Sequence, residues 1–509
     1  MNSFFAPPLF ALFLPVIPLV CALFLPANRA RLRYLILMFS LAGTFLAWFK
    51  LFALVQDEGV YVYSVGGPLL KTLVARGGFL EATLLYLDFY AVFGGVILSL
   101  LAFLIPLLMK KRFSQPRRGA LDTVFYCLSL VASLSIVATA DLFSFYFWVQ
   151  LGLLSLCCLV ALRNGSIESQ KVAMKNLVGF GCVSAFMFLG IVILSVRYNQ
   201  TLMPALAPMI ENGIPEKAAF VLILLPLLFF MALPPFHRWF YEVHSSSESS
   251  VFVQAFLLFS LGLSLGLLRL CFSLMGAVFA GDTLPFYLIL LSVISLLCLL
   301  KEISRLKNKE KLVRAFMVFQ SALFFLALSV SFFALKSPFY VAQYGLSALQ
   351  GALLLLLFYP VVASVLIFLQ DISENSAPFS FLFLFVAVLL IGLPPFAGYT
   401  SRLLIVYSVF VLNPLLATVV FFSLFWAIVA LIRTQYEART SEPLAWRGAV
   451  WVGKSSSAFL AVGILFIFIN AISFFPVSVL SHVITPAVQS LINKGEYALP
   501  ISEEEGGGR

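Results

Sequence analysis

Apolar stretches long enough to cross a bilayer recur from one end of this chain to the other. A spanning helix needs about 20 mostly apolar residues, and the runs fall near 4–26, 34–55, 84–109, 120–138, 142–162, 173–196, 217–236, 250–273, 284–303, 313–335, 341–369, 378–409, 411–432 and 456–480. Hydrophobic residues make up 62% of the chain and charged residues 11%; a soluble domain is about a quarter charged. A membrane β-barrel would need alternating segments of about 10 residues, which the sequence lacks. The expected fold is therefore an all-α polytopic membrane protein of about 14 transmembrane helices. The first run carries Pro7, Pro8, Pro15 and Pro18, with neither a basic leader nor an A-x-A site, so a retained helix is expected there.

The charge is distributed as a membrane topology requires. The net charge is +10, and 22 of the 32 Lys and Arg fall in alternate loops at 27–33, 110–118, 163–175, 237–249, 301–314, 370–377 and 433–455. Nucleic acid is not the partner this pattern implies. The positive-inside rule places those loops in the cytoplasm and both termini outside. The basic loop 301–314 reads as a topology determinant, or as a surface for anionic lipid headgroups or a partner subunit. The seven cysteines all lie in apolar runs without a CxxC pair, so they read as small core residues. No metal or cofactor is expected, nor chemistry within this chain: nucleotide loop, nucleophile triad and haem motif are all missing from the sequence. The tail Ile501-Ser-Glu-Glu-Glu-Gly-Gly-Gly-Arg509 is expected to be unstructured.

One polar segment stands out against this background, Leu233-Pro-Pro-Phe-His-Arg-Trp-Phe-Tyr-Glu-Val-His244. Pro234-Pro235 must interrupt a helix, because proline lacks the amide donor and clashes with the preceding turn. His237, Glu242 and His244 follow within eight residues. One reading is a proton relay or gate, since imidazole changes charge near neutral pH. The other is a loop at the membrane surface whose polar groups meet water and headgroups.

The segment resembles the proton-conducting antiporter-like subunits of respiratory complex I and of Mrp-type cation/proton antiporters. Their pattern is close to P-x-H-x-W-L-P-D-A-H, followed by a span ending in G-L-L-R; here Pro235-Phe-His-Arg-Trp239, Glu242-Val-His244 and Gly266-Leu-Leu-Arg269 correspond. Asp141-Leu-Phe leading into Phe147-Trp148-Val-Gln150, Lys309-Glu-Lys311-Leu-Val-Arg-Ala-Phe316, and Gly392-Leu-Pro-Pro-Phe-Ala-Gly-Tyr-Thr-Ser-Arg402 agree with the family in order and spacing. The last is most similar to the subunit-N type. The resemblance covers roughly residues 85–435. It implies broken helices and two inverted five-helix repeats, with an N-terminal segment 1–109, repeats at 110–273 and 274–435, and a C-terminal helix and tail at 436–509. It also implies other hydrophobic subunits and lipid as partners, protons or monovalent cations as the species moved, and a bacterial-type inner membrane or its equivalent.

Several charged residues that the family carries are replaced. Gln150 stands where a glutamate is expected and cannot ionise. Phe230 replaces a lysine seven residues before His237, Ser260-Leu261 another in the eighth span, and Ser321 lies near an expected histidine. Asp88, Asp141, Lys175, Arg269 and Arg402 remain in or beside the spans. Arg402 falls where subunit-N-type members have lysine; arginine holds its proton too firmly to relay it, so an electrostatic or anion-positioning role suits it. Lys175 reads as a coupling lysine or a snorkelling loop residue. The proton-path candidates are thus His237, Glu242, His244, Lys175, Gln150 and Arg402. The expected function is a membrane subunit of a multi-subunit proton- or ion-translocating complex with a depleted proton path. A non-conducting docking subunit and a subunit of a proton-coupled cation or inorganic-carbon uptake transporter stay open as alternatives.

Overall fold

The structure, a computed structural model, describes residues 7–64, 84–164, 166–247, 250–276, 283–306, 309–334, 346–372, 385–392, 397–440, 463, 476–493 and 497. Among these, ten helices are long and apolar enough to cross a membrane, with shorter apolar helices beside them. The fold is an α-helical membrane bundle. The expected break Pro394-Pro395 and most of the run 456–480 lie outside the described residues, as does the tail.

The chain divides into two compact units. The first holds residues 1–231, 242–278 and 486–509. Its described helices are α1 (Pro7–Phe13), α2 (Val16–Phe24), α3 (Ala30–Glu58), α4 (Phe89–Leu108), α5 (Arg118–Ala138), α6 (Leu142–Asn164), α7 (Ile167–Tyr198) and α8 (Ile214–Phe230). A short helix α9 (Arg238–Ser247) precedes α10 (Ser250–Leu268), whose end loosens into a π turn over Arg269–Leu274. The first apolar run is two helices rather than one, separated at Leu14-Pro15, because proline withdraws a donor.

Helix α10 is buried along its whole length. It is apolar on every face, as a central helix must be. Small residues let its neighbours approach: a Cβ on Gly262 would lie 2.8 Å from Ser133 Cβ and 2.9 Å from its Cα, and one on Gly152 of α6 would meet Phe259 at 2.0 Å. Close backbone approach through small residues is the usual way membrane helices gain packing energy. Serines inside the unit satisfy themselves locally. Ser129, Ser133, Ser155, Ser260 and Ser264 each donate to a carbonyl three or four residues earlier.

The expected span 84–109 begins with a strand. Tyr61–Ser64 (β1) and Leu84–Leu87 (β2) form an antiparallel pair with Tyr61 opposite Leu87, so a small sheet occurs where helices alone were expected. Tyr, Val and Leu suit a half-buried strand. Asp88 then caps α4 by accepting from the Ala91 amide at 2.8 Å.

The second unit holds residues 232–241 and 279–485. It contains α11 (Thr283–Ile303), α12 (Lys309–Ala334), α13 (Leu346–Ile372), a helical stretch 385–391, α14 (Ala397–Leu412) and α15 (Pro414–Thr440). Helix α13 is its buried centre. A Cβ on Gly351 would lie 2.9 Å from the Ser401 carbonyl oxygen, so glycine sets the approach of α13 to α14.

Candidate functional site

The polar segment behaves as its prolines require. Helix α8 stops at Phe230, Ala232 takes a left-handed φ of 54°, and helix resumes at Arg238. A non-glycine residue at positive φ is uncommon and costs on the order of 1–2 kcal/mol, so it persists only where the surroundings hold it. The peptide between Pro234 and Pro235 is cis.

In the second unit His237 meets Glu302 of α11, Nε2 to Oε2 at 3.0 Å, with the imidazole side chain 14% exposed and the carboxylate 31%. The other ring nitrogen, Nδ1, is buried without a hydrogen-bond partner. Tyr241, one turn along α9, sets its ring edge-on to the imidazole with centroids 5.2 Å apart. Burial pushes the Tyr241 hydroxyl pKa up, the Glu302 carboxylate adds to the rise, and the Arg314 guanidinium opposes it.

Arg402 lies in the same unit and is 5% exposed. Its Nη1 donates to the Gly398 carbonyl at 2.7 Å and to Ser401 Oγ at 3.3 Å. Its Nη2 donates to Gln320 Oε1 at 2.8 Å and to the Leu390 carbonyl. Leu390 lies in the last turn of the stretch 385–391 and Gly398 in the first turn of α14, so the guanidinium ties the two helical pieces together. Gly392, at φ 77°, and Gly398 leave the space it fills: a Cβ on either would come within 2.8 Å of Nη1. The fork reaches four acceptors in fixed directions, which an ammonium group cannot do. Gln320 is a member of this cluster that the motif reading missed; only its place in an apolar run marks it.

In the first unit Lys175 Nζ and Glu242 Oε2 are 2.7 Å apart, with side chains 67% and 46% exposed. Such a solvated pair contributes about 0–1 kcal/mol. Two candidates the sequence lists separately are thus brought together, at the surface rather than inside. Gln150 is half-buried on α6, and its Nε2 is buried without a hydrogen-bond partner. The His244 side chain lies outside the described residues.

Phe230 is fully buried. The rings of Phe180 and Phe229 stand edge-on to it, with centroids 5.9 and 6.1 Å away. The site where a lysine was expected is filled by three aromatic rings.

Asp88 and Arg269, read from sequence as separate charges near span ends, form a buried ion pair. Ser490 Oγ also donates to Asp88 Oδ2 at 2.9 Å, and the guanidinium lies 5.4–5.7 Å from the rings of Tyr86, Tyr90 and Tyr497. Cation–π contact of this kind stabilises a desolvated guanidinium by about 2 kcal/mol. Glu216, fully buried, pairs with Arg197 and accepts from Tyr198 Oη at 2.7 Å. Asp122, also fully buried on α5, was passed over by the motif reading although it interrupts an apolar run. No cluster of metal-ligating residues occurs among the described residues.

Residues 139–427 match the family described as NADH:quinone oxidoreductase/Mrp antiporter, transmembrane. The chain belongs to this family. The matched region contains Gln150, Lys175, His237, Glu242, His244 and Arg402, and excludes Asp88 and Tyr497. Among antiporter-family relatives, NADH-quinone oxidoreductase subunit N 1 of Thermodesulfovibrio yellowstonii is 29% identical over 160 residues, covering 31% of this chain and 33% of that protein. The subunit N of Nitrosomonas europaea is 28% identical over 141 residues, 26% of this chain and 29% of that one. The matched stretches therefore span about a third of these relatives.

The fold is shared over nearly the whole chain. A chain of respiratory complex I from Thermus thermophilus superposes with a TM-score of 0.78 at 16% identity, covering 96% of this chain and 99% of its own. A chain of the Mrp complex from Dietzia sp. DQ12-45-1b gives 0.77 at 15%, covering 98% and 99%. A chain of the archaeal membrane-bound sulfane sulfur reductase gives 0.77 at 18%, covering 96% and 99%.

Proposed function

We propose that this chain is a membrane subunit of a multi-subunit proton- or ion-translocating complex, and that the axis through its first unit does not carry protons. The observation that carries the second part is Phe230, buried between Phe180 and Phe229 at the position where the antiporter-like pattern has a lysine. A proton relay needs groups whose charge changes in turn. In this unit Gln150 replaces a carboxylate, and the nearby serines donate to their own helices. Loss of one charged member favours loss of the rest, because a buried charge left without its partner is costly. The family membership and the shared fold support the first part, since the similar chains come from complex I, Mrp and sulfane sulfur reductase assemblies.

The setting follows from the same reading: other hydrophobic subunits and lipid around the bundle, a bacterial-type inner membrane, and both termini outside. Cysteines introduced at residues 115 and 200 test the orientation, and labelling of residue 115 from outside intact cells would refute it.

The test of the first-unit reading is Phe230→Lys in the assembled complex. An ammonium group placed among three rings has no counter-charge, so the variant should lose several kcal/mol and fall in abundance. Normal abundance with altered proton flux in proteoliposomes would overturn the non-conducting reading. A second reading, conduction through the second unit, is favoured by the polar groups His237, Glu302, Gln320 and Arg402 in that unit. Flux that survives Phe230→Leu but is lost in Arg402→Gln would select it.

A further inference from the structure

Residues 232–241 pack as part of the second unit, although the chain before Ala232 and after Tyr241 packs in the first. Its turn bonds include Phe236 amide to Leu233 carbonyl at 2.7 Å and Phe240 amide to His237 carbonyl at 3.2 Å. Two side chains of α11 also grip it. Ser295 Oγ donates to the Pro234 carbonyl at 2.7 Å, and Glu302 meets His237 at 3.0 Å. Residues 295 and 302 are seven apart, two helical turns, so both grips lie on one face of α11.

We propose that His237 and Glu302 form a charge-assisted clasp that holds the broken segment against α11 and tightens when the imidazole gains a proton. Neutral imidazole can donate from Nε2 to the carboxylate, but a protonated ring makes an N–H⁺···O⁻ bond about twice as strong. Nδ1 is buried without a hydrogen-bond partner, so the contact that gains strength when the ring takes a proton is the one at Nε2. The titratable and charged groups around the ring are Glu302 from α11, Tyr241 from the next turn of α9, and Arg314 from α12, whose charge acts on Tyr241. With the imidazole 14% exposed, water competes poorly for the bond. The segment begins at Ala232, whose left-handed φ persists only where its surroundings hold it, and the two α11 contacts are part of those surroundings. The clasp goes beyond the proposed function, since it holds whether or not any part of the chain conducts.

Amide exchange of the 232–241 peptide in the full chain, reconstituted in lipid nanodiscs, tests it. The comparison is between about pH 6 and about pH 8, where an imidazole ordinarily changes charge, after correction for the intrinsic exchange rate. Protection should be about threefold to tenfold greater at the lower pH. Glu302→Gln should abolish that ratio, and so should His237→Gln if the first variant does not fold. Ser295→Ala should loosen the segment at both pH values and leave the ratio intact. Equal protection of the unmodified chain at the two pH values, or a ratio that survives Glu302→Gln, would overturn the clasp.

Discussion

Arg402 brings a permanent charge into a buried site and spends its hydrogen bonds there on backbone, amide and hydroxyl oxygens. One of those acceptors, the Leu390 carbonyl, lies in the last turn of its helical stretch, where carbonyls lack an intrahelical partner; the other backbone acceptor, the Gly398 carbonyl, lies in the first turn of α14. The residue thus ties the stretch 385–391 to α14, which a proton-relaying lysine would not do with the same geometry. Arg402→Lys keeps the charge but loses the fork, and should lower stability by about 2–3 kcal/mol, read as a fall in the thermal midpoint of the purified protein. An unchanged midpoint would mean that the fork contributes nothing. Ala232 offers the opposite experiment: Ala232→Gly removes the penalty of positive φ and should be neutral or stabilising by up to about 1 kcal/mol. A destabilised Ala232→Gly variant would show that the methyl group's packing outweighs backbone strain.

Helices in the first unit meet through glycines, and the two kinds of glycine should respond differently to added carbon. Gly262 faces the Ser133 backbone, which cannot move aside, so Gly262→Val should cost about 1–3 kcal/mol or more. Gly179 on α7 has open space where a Cβ would go, so Gly179→Ala should be neutral or stabilising by about 0.5–1 kcal/mol through helix propensity alone. Equal effects at both positions, measured by unfolding in a denaturing detergent, would contradict this packing. The Asp88–Arg269 pair joins the cap of α4, the end of α10 and Ser490 near the C-terminus. Asp88→Asn should cost about 3–5 kcal/mol by leaving a buried guanidinium unpaired. The double variant Asp88→Asn/Arg269→Met should lose clearly less than the sum of the two single losses. Strict additivity would mean that the two side chains do not act as a pair.

At the scale of the whole molecule, the two units hold their described charged and polar groups differently. The first unit pairs Asp88 with Arg269 and Glu216 with Arg197 and buries Asp122, while Phe230 and Phe180 fill the position where a lysine was expected. The second keeps His237, Glu302, Gln320 and Arg402. A proton path confined to one unit predicts that substitutions at Ser260 or Gln150 leave flux through the assembled complex unchanged within error. A marked fall in flux in Gln150→Leu, with normal assembly, would place the first unit back in the path.

The sequence determined the class of fold because period and length are local properties: an apolar run of about 20 residues has one way to satisfy its backbone in lipid. It also located the break at Pro234-Pro235, since proline acts within its own turn, and the family through collinear motifs. Which charges meet was not legible. Asp88 and Arg269 are 181 residues apart and Gln320 and Arg402 are 82 apart, so no spacing rule joins them. Glu302 looked like part of a basic loop until the packing of α11 set it against His237. Lys175 and Glu242, both picked out from the sequence, turned out to meet at the surface. Ion pairing depends on where helices pack side by side, and packing is settled by glycines and aromatic rings acting across the bundle. That was left to the tertiary structure.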